Sequence, residues 1–277
     1  MMKRKLGYRL TKVVFLSFYF VLMVFPLYWI VITSLKPQKE IFSYPIHYWP
    51  EQFTFQNYIN IFKVSKFNVY IANSLLVSIT SALIVIVIAI CSAYVLARFR
   101  FRGHRQIMLG FFITQMLPGF ISLAPLYMMM SNMHLLNQRI SLVLMYTVIL
   151  IPFSTIMLRG FFQRIPSNLE EAAMIDGCSQ LSALMRVIIP IMMPGISSMF
   201  IFAFVQNWNE LFLAVMFIDN ESLKTLPVAM NSFILKFNVD WGSMSAGTVL
   251  SVLPTILLFA LAQRFIVEGL TQGAVKG

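Results

Sequence analysis

The feature that most constrains this chain is a series of apolar runs, each long enough to cross a lipid bilayer as a helix. About 20 apolar residues suffice for one crossing. The sequence has six such runs, at about 13–34, 72–97, 106–130, 140–158, 187–207 and 248–266. Only 11% of the residues are charged, against roughly 25% in a typical soluble domain. Because such a chain cannot cover itself with a hydrated surface, we expect an all-α polytopic membrane protein with residues 1–277 in one transmembrane domain.

The lysines and arginines predict the orientation of the six spans. Fourteen of the 21 fall on the side that holds both chain ends, and seven fall on the opposite side, which has the longer loops. Since basic residues collect on cytosolic loops, we expect both termini and the loop between the fourth and fifth spans in the cytosol. This distribution accounts for the net charge of +11 without nucleic acid as a partner. The first run is too long for a signal peptide and is expected to be a retained anchor.

The loop between the fourth and fifth spans, residues 164–190, is long and polar, with the sequence RIPSNLEEAAMIDGCSQLSALMRVIIP. Bundle connections usually have about 2–8 residues. Ser167 and Glu170 have the spacing of a capping box, and Gly177 can adopt the left-handed conformation that ends a helix. The pattern predicts a short helix outside the bilayer. Two interpretations remain open, a turn that only joins two spans and a helix that docks into a groove on another protein.

The same loop carries a resemblance to a known family. Glu171-Ala172-Ala173, then Gly177, then Val187-x-Ile189-Pro190 resemble the EAA loop of permease subunits in ATP-binding-cassette importers, with aliphatic departures at 187 and 189. The segments NSLLVS (73–78), WNE (208–210), YWPEQFTFQNY (48–58) and QRFIVEGLTQGAVKG (263–277) are similar to carbohydrate-uptake permeases of the maltose-importer type.

This resemblance implies that the 164–190 loop is a coupling helix held in a cleft of a cytosolic ATPase. Glu171 would contact a basic residue of the ATPase, the two alanines would permit close approach, and Gly177 would make the turn. The implied coupling residues are Glu170, Glu171, Ala172, Ala173, Asp176, Gly177 and Pro190. The implied contacts of the C-terminal tail with the ATPase are Gly269, Leu270, Thr271, Gly273 and Lys276.

The resemblance also implies the partners. These are a second permease subunit that forms a heterodimer with this chain, two copies of the ATPase, and an extracytoplasmic sugar-binding protein. No cofactor or metal is expected to bind directly. Neither the tail nor the rest of the sequence has a Walker motif, so ATP would be used by the partner subunit. We therefore hypothesise a non-catalytic, multi-pass permease subunit of a sugar or oligosaccharide importer in a bacterial or archaeal cytoplasmic membrane.

Polar residues inside the apolar runs or near their ends are candidates for a sugar path, because they are costly in lipid. They are Asn73, Ser74, Gln115, Gln206, Asn207, Trp208, Asn209 and Glu210. Hydrogen bonding between helices is the alternative interpretation. By resemblance, the 219–247 loop would approach the binding protein through Asn231, Phe233, Asn238 and Trp241.

Three other classes of protein are alternatives. An ion-coupled secondary transporter usually has ionisable residues at the midplane, whereas the acidic residues here fall in loops or at span ends. A membrane enzyme would need a catalytic constellation, and His47, His104 and His134 lie in separate loops. A permease for a non-sugar substrate would share the EAA loop but would not be expected to end in GLTQGAVKG.

Overall fold

The computed structural model describes residues 2–64, 66–232 and 240–274, and the side chains of 11–63, 66–231, 240–261 and 263. Every regular element within these ranges is a helix, which confirms the predicted all-α class. The helices are α1 (Met2–Ser34), α2 (Gln38–Ile41), α3 (Gln56–Val64), α4 (Phe67–Arg98), α5 (His104–Met116), α6 (Gly119–Asn132), α7 (Arg139–Arg164), α8 (Asn168–Ile175), α9 (Gln180–Ala183), α10 (Ile189–Trp208), α11 (Phe212–Phe217), α12 (Leu226–Ser232) and α13 (Trp241–Ala274). A π-helical turn, Leu184–Ile188, lies between α9 and α10.

Five helical stretches in the described part of the chain are long and apolar enough to cross a membrane. They are Thr11–Ser34, Phe67–Arg98, Arg139–Arg164, Gln180–Trp208 and Trp241–Leu261. Each corresponds to one of the predicted runs. The stretch Gln180–Trp208 begins earlier than the predicted 187–207 run, because the end of the 164–190 loop is helical from Gln180 onward.

The predicted third run, 106–130, differs from a single continuous helix. It consists of α5 and α6, whose axes are bent by 101° relative to each other, and together they would bring the number of spans to six. The break lies at Leu117, whose ψ of 125° is extended. A residue that precedes proline is pushed out of the helical region by the ring of that proline. Pro118 therefore ends α5, and the chain restarts as α6.

The described helices form two compact units, residues 1–68 with 229–254 and residues 69–228 with 255–277. In the first unit, the buried Asn57 amide donates to the carbonyls of Ser34 and Lys36, both at 2.9 Å. Gly242 lies against the same amide, and a Cβ at that position would come within 2.5 Å of Asn57 Oδ1. The end of α1, α3 and the start of α13 are therefore held together by one polar side chain.

The second unit has two apolar clusters at different heights along α4 and α7. One contains Val77, Met145 and Phe217 with their neighbours. The other contains Tyr94 of α4, Phe162 of α7 and residues from Leu184 to Met199. The Tyr94 and Phe162 rings are 5.6 Å apart between centroids. This second cluster packs the ends of α4, α7 and the π-turn together at the base of the 164–190 loop.

Candidate functional site

The short helix predicted in the 164–190 loop is α8, and a glycine turn ends it. The Cys178 amide donates to the Ala173 carbonyl at 3.0 Å, and the Gly177 amide donates to the Met174 carbonyl at 3.1 Å. This is the Schellman pattern, which needs a left-handed residue after the helix. Gly177 has φ +89°, so the predicted role of this glycine as the C′ residue of α8 is confirmed.

The predicted capping box between Ser167 and Glu170 is wrong. The Ser167 side chain makes no cap hydrogen bond, and its φ of −63° and ψ of −25° are already helical. The Glu170 carboxylate instead accepts from Arg98 Nε at 2.6 Å and from the Tyr94 hydroxyl at 3.1 Å. A charged donor is a stronger partner than a backbone amide. The Glu170 carboxylate, which the local spacing assigned to the cap, therefore bonds Arg98 of the distant α4.

Arg98, Glu170 and Tyr94 form a buried polar latch between α4 and α8. The side chains of Arg98 and Glu170 are 13% and 9% exposed. The other end of the guanidinium donates to the Ile165 carbonyl at 3.0 Å. Arg98 therefore satisfies one carbonyl at the end of α7 and one carboxylate of α8 at the same time. No sequence motif singled out Arg98 or Tyr94, although Arg98 begins the RFRFR run.

The two adjacent glutamates of α8 face in different directions. Glu170 and Ala173, three residues apart, are both buried at 7% exposure. Glu171, Ala172 and Asp176 are exposed, and Ile175 is 86% exposed. Residues three apart lie on one helix face. The outer face of α8 therefore presents a carboxylate beside an exposed apolar side chain, a combination suited to contact with another protein.

The remainder of the loop runs directly into α10. Ser179 caps α9, since its hydroxyl accepts from the Ser182 amide at 3.3 Å. The Ile189 amide donates to the carbonyl of Leu184, five residues earlier. Pro190 follows at the start of α10 and has no amide to donate, and its ring crowds the carbonyl four residues before it. The wider π-turn accommodates that proline within a continuous helical path.

A second polar junction holds the end of α4 against α5 and α7. The Leu96 carbonyl accepts from Arg159 Nε at 3.0 Å and lies 2.9 Å from His104 Nε2. The last carbonyls of a helix have no partner within it. Arg159 and His104 supply a partner for the Leu96 carbonyl, so His104 connects α5 to α4.

Two candidates for the sugar path at the start of α4 are occupied by bonds within the chain. The Asn73 amide nitrogen donates to the carbonyls of Ser222 and Lys224, at 3.0 and 2.9 Å. Its oxygen accepts from Arg139 Nε at 2.9 Å. The Ser74 hydroxyl accepts from the Leu226 amide at 2.7 Å. Hydrogen bonding within the chain, the alternative to sugar contact, therefore accounts for both residues in this structure.

The candidates at the end of α10 have varied surroundings. Trp208 is 2% exposed and its ring stacks on Phe204. Asn207 is buried, and its Nδ2 has no partner among the described residues. Asn209 is exposed and donates to the Val205 carbonyl at 2.9 Å.

Glu210 links α7 to the start of α11. Its carboxylate accepts from the Tyr146 hydroxyl at 2.8 Å and from the amides of Leu213 and Ala214 at 2.9 and 3.2 Å. Of the other sugar-path candidates, Gln115 and Gln206 are exposed.

Several predicted contact residues lie outside the described residues. Phe233, Asn238 and Lys276 do so entirely. Gly269, Leu270, Thr271 and Gly273 fall in the backbone of α13, whose side chains are described only as far as 261 and at 263. Asn231 is exposed and Trp241 is 46% exposed.

Several curated proteins are similar to this chain. The diacetylchitobiose uptake system permease protein DasC of Streptomyces coelicolor is 37% identical over 276 residues, covering 100% of both chains. The sulfoquinovosyl glycerol transport system permease protein SmoH of Agrobacterium fabrum is 37% identical, over 92% of this chain and 89% of its own. The trehalose transport system permease protein SugB of Mycobacterium tuberculosis is 33% identical, over 91% and 92%.

A solved structure has the same fold. A chain in the crystal structure of a bacterial ABC transporter involved in the import of the acidic polysaccharide alginate superposes with a TM-score of 0.82. The superposition covers 93% of this chain and 95% of that chain, at 21% identity. Residues 85–272 match the description "binding-protein-dependent transport system inner membrane component". With these relatives, the match establishes that the chain belongs to the family of inner membrane components of binding-protein-dependent transport systems.

Proposed function

We propose that this chain is the membrane-spanning permease subunit of an ATP-driven importer for sugars or oligosaccharides. The observation that carries the proposal is similarity along essentially the whole chain to permeases whose names specify diacetylchitobiose, sulfoquinovosyl glycerol and trehalose. All three are carbohydrates or carry a sugar. The subunit supplies the path through the membrane, and a separate ATPase chain hydrolyses ATP.

Coupling to the ATPase takes place at the outer face of α8. Glu171 contacts a basic residue of the ATPase, and Ala172 allows close approach. The exposed Ile175 adds an apolar contact at the end of the same short helix. This assignment is supported by the EAA spacing and by the exposure of these side chains. Glu170 acts from the inner face, through its bonds to α4 rather than by touching the ATPase.

Displacement of α8 reaches the membrane by two connections. The first is the Arg98–Glu170 latch, which ties α8 to the end of α4. The second is the chain from α9 through the π-turn into α10, with Pro190 at its entry. A short capped helix fastened at both places moves with its neighbours, so a pull on α8 is transmitted to two spans.

The assembly contains a second permease subunit, two copies of the ATPase and an extracytoplasmic sugar-binding protein. A solved structure with a TM-score of 0.68 to this chain is a bacterial alginate ABC transporter in complex with an alginate pentasaccharide-bound periplasmic protein. In this arrangement both termini and α8 face the cytosol, the tail from 269 to 277 contacts the ATPase, and the 219–247 loop faces the binding protein. Gln115, Asn207 and Asn209 line the sugar path.

The transport activity is tested with the full complex in proteoliposomes. Accumulation of labelled diacetylchitobiose, trehalose and a sulfoquinovosyl glycoside is measured with the binding protein outside and ATP inside. Accumulation of at least one glycoside that requires ATP, and that excess amino acids do not inhibit, is the expected result. Uptake driven by a proton or sodium gradient without ATP would refute the assignment as an ATP-driven importer.

The docking face is tested by crosslinking in a background with Cys91→Ser and Cys178→Ser. Ile175→Cys places a thiol at a position that is 86% exposed, and Ala173→Cys places the matched control at a position that is 7% exposed. A reagent with one thiol-reactive end and one photoreactive end should join the ATPase to the first variant and not to the second. Equal crosslinking of both variants, or of neither, would contradict docking on the outer face of α8.

A further inference from the structure

A basic cavity lies beside the latch, between the end of α4, the start of α5 and the end of α7. Its volume is about 500 Å³, within the roughly 300–1,000 Å³ typical of ligand sites. Its lining includes three arginines, one histidine and two glutamines, namely Arg100, Arg105, Arg159, His104, Gln106 and Gln163. We call it the arginine pocket.

The positive charge in the arginine pocket is not neutralised by the lining. The segments that form it, 96–106 and 159–163, contain no aspartate or glutamate. None of the salt bridges among the described residues involves Arg100, Arg105 or Arg159. Like charges held together repel one another, so an anion bound between them would relieve this repulsion.

Hydrogen bonds to a neutral carbonyl fix the shape of the pocket and leave its positive charge without a counter-charge. Arg159 Nε and His104 Nε2 both bond the Leu96 carbonyl, which ties α7 and α5 to α4. Arg159 uses only Nε in this contact. Its terminal nitrogens make no hydrogen bond to the described residues, so they can donate to an anion.

The start of α5 adds donors on the same side. Gly103, in a left-handed conformation with φ +101°, precedes the helix, and no side chain caps its first turn. The first-turn amides of a helix carry partial positive charge and bind phosphate readily. Guanidinium groups match the oxygens of phosphate in charge and geometry. Amides of Gln106 and Gln163 in the lining can donate to the same oxygens.

We propose that the arginine pocket binds a phosphate group. The phosphate can belong to the headgroup of an anionic phospholipid, since basic pockets between membrane helices bind such headgroups, or to a soluble phosphate compound. The general enrichment of basic residues on one side of a membrane does not by itself create such a site. Arg102 illustrates this, because it lies in the same loop, is exposed and does not line the cavity.

The test compares two double variants of the full chain in its complex. Arg100→Gln with Arg105→Gln removes two exposed arginines of the lining. Arg102→Gln with Arg164→Gln is the matched control, because it removes two exposed arginines outside the lining. Arg159 is left unchanged because its bond to Leu96 holds the pocket together. Size-exclusion elution of each complex checks that the variants assemble.

Two arms distinguish the source of the phosphate. In the lipid arm, native mass spectrometry counts phosphatidylglycerol retained after exchange against phosphatidylcholine. In the soluble arm, delipidated complex is titrated with inorganic phosphate and its melting temperature is recorded. The pocket variant should bind roughly 30-fold more weakly than wild type in one arm, since each of the two lost arginines contributes about fivefold. The control should match wild type.

Each outcome decides the proposal. Weaker phosphatidylglycerol retention by the pocket variant alone supports a lipid phosphate. A phosphate-dependent rise in melting temperature that the pocket variant alone loses supports a soluble one. Equal behaviour of the pocket variant and its control in both arms overturns the proposal. Neither readout involves transport, so these results are independent of whether the chain carries sugar.

Discussion

Breaking the latch should detach α8 from α4 and leave the helix itself in the chain. Arg98→Gln leaves the Glu170 carboxylate buried, with only the Tyr94 hydroxyl as a described side-chain partner. Loss of one partner of a buried ion pair costs about 3–5 kcal/mol. The lower end applies here, because the two side chains retain 13% and 9% exposure. At about 1.4 kcal/mol per tenfold change, detachment of α8 becomes roughly a hundredfold more frequent.

Hydrogen exchange of the peptide that covers 168–178 measures this detachment directly. Protection of the α8 amides should fall by roughly the same hundredfold, since local opening sets their exchange rate. Arg164→Gln is the matched control: it also removes one arginine, at the start of the loop, but this residue is exposed and its guanidinium stacks on the Phe161 ring. In proteoliposomes, Arg98→Gln should lower the sugar transported per ATP hydrolysed, whereas the control should not.

A double-mutant cycle decides whether the pair itself is responsible. Glu170→Gln alone leaves the Arg98 charge without its carboxylate, while Arg98→Gln with Glu170→Gln places two neutral amides together. Since no buried charge remains, the double variant should regain much of the protection lost by either single one. If the effects of the two single changes simply add, the two residues do not interact energetically, and the ion pair is not what holds α8.

Four further changes test other contacts. Glu171→Lys should abolish uptake while protection of α8 stays at the wild-type level in hydrogen exchange, because the side chain is exposed; normal uptake would remove its coupling role. Gly177→Val should cost about 1–3 kcal/mol, because φ is +89° and a β-branched residue is strained there; uptake per ATP should fall, and unchanged coupling would count against the turn. Gly195→Leu should lower the melting temperature, since even a Cβ would lie 2.9 Å from the Phe161 ring and overpacking costs about 1–3 kcal/mol; an unchanged melting temperature would show that the ring moves away freely. Glu210→Gln weakens three accepted bonds and should increase amide exchange in 211–217; exchange at the wild-type rate in this segment would contradict that role.

Some features of the 164–190 loop could be predicted because they depend on residues that are close in sequence. Gly177 was expected at the end of a helix, and its left-handed φ and Schellman bonds agree with that expectation. The bend between α5 and α6 had an equally local signal in Pro118-Gly119, and treating 106–130 as one apolar run overlooked it. Proline and glycine limit the backbone whatever the rest of the chain does.

Other expectations failed or were replaced because distant residues competed for the same atoms. Ser167 and Glu170 have capping spacing, but Glu170 bonds Arg98, which lies 72 residues earlier in the chain. Asn73 was a candidate for sugar contact, and its amide instead holds the backbone near 222–224. Spacing within one segment does not show which donor from a distant part of the chain will hydrogen-bond a given polar group.

The sequence by itself determined that the chain is helical, where its apolar stretches lie, and that a short helix ended by a glycine turn follows α7. These properties follow from hydrophobicity and from backbone limits that act over a few residues. Tertiary structure alone decided that Glu170 faces inward and Glu171 outward, and that three arginines surround a cavity. Burial and pairing of charge depend on which helices meet, and that meeting is set by packing across the whole fold.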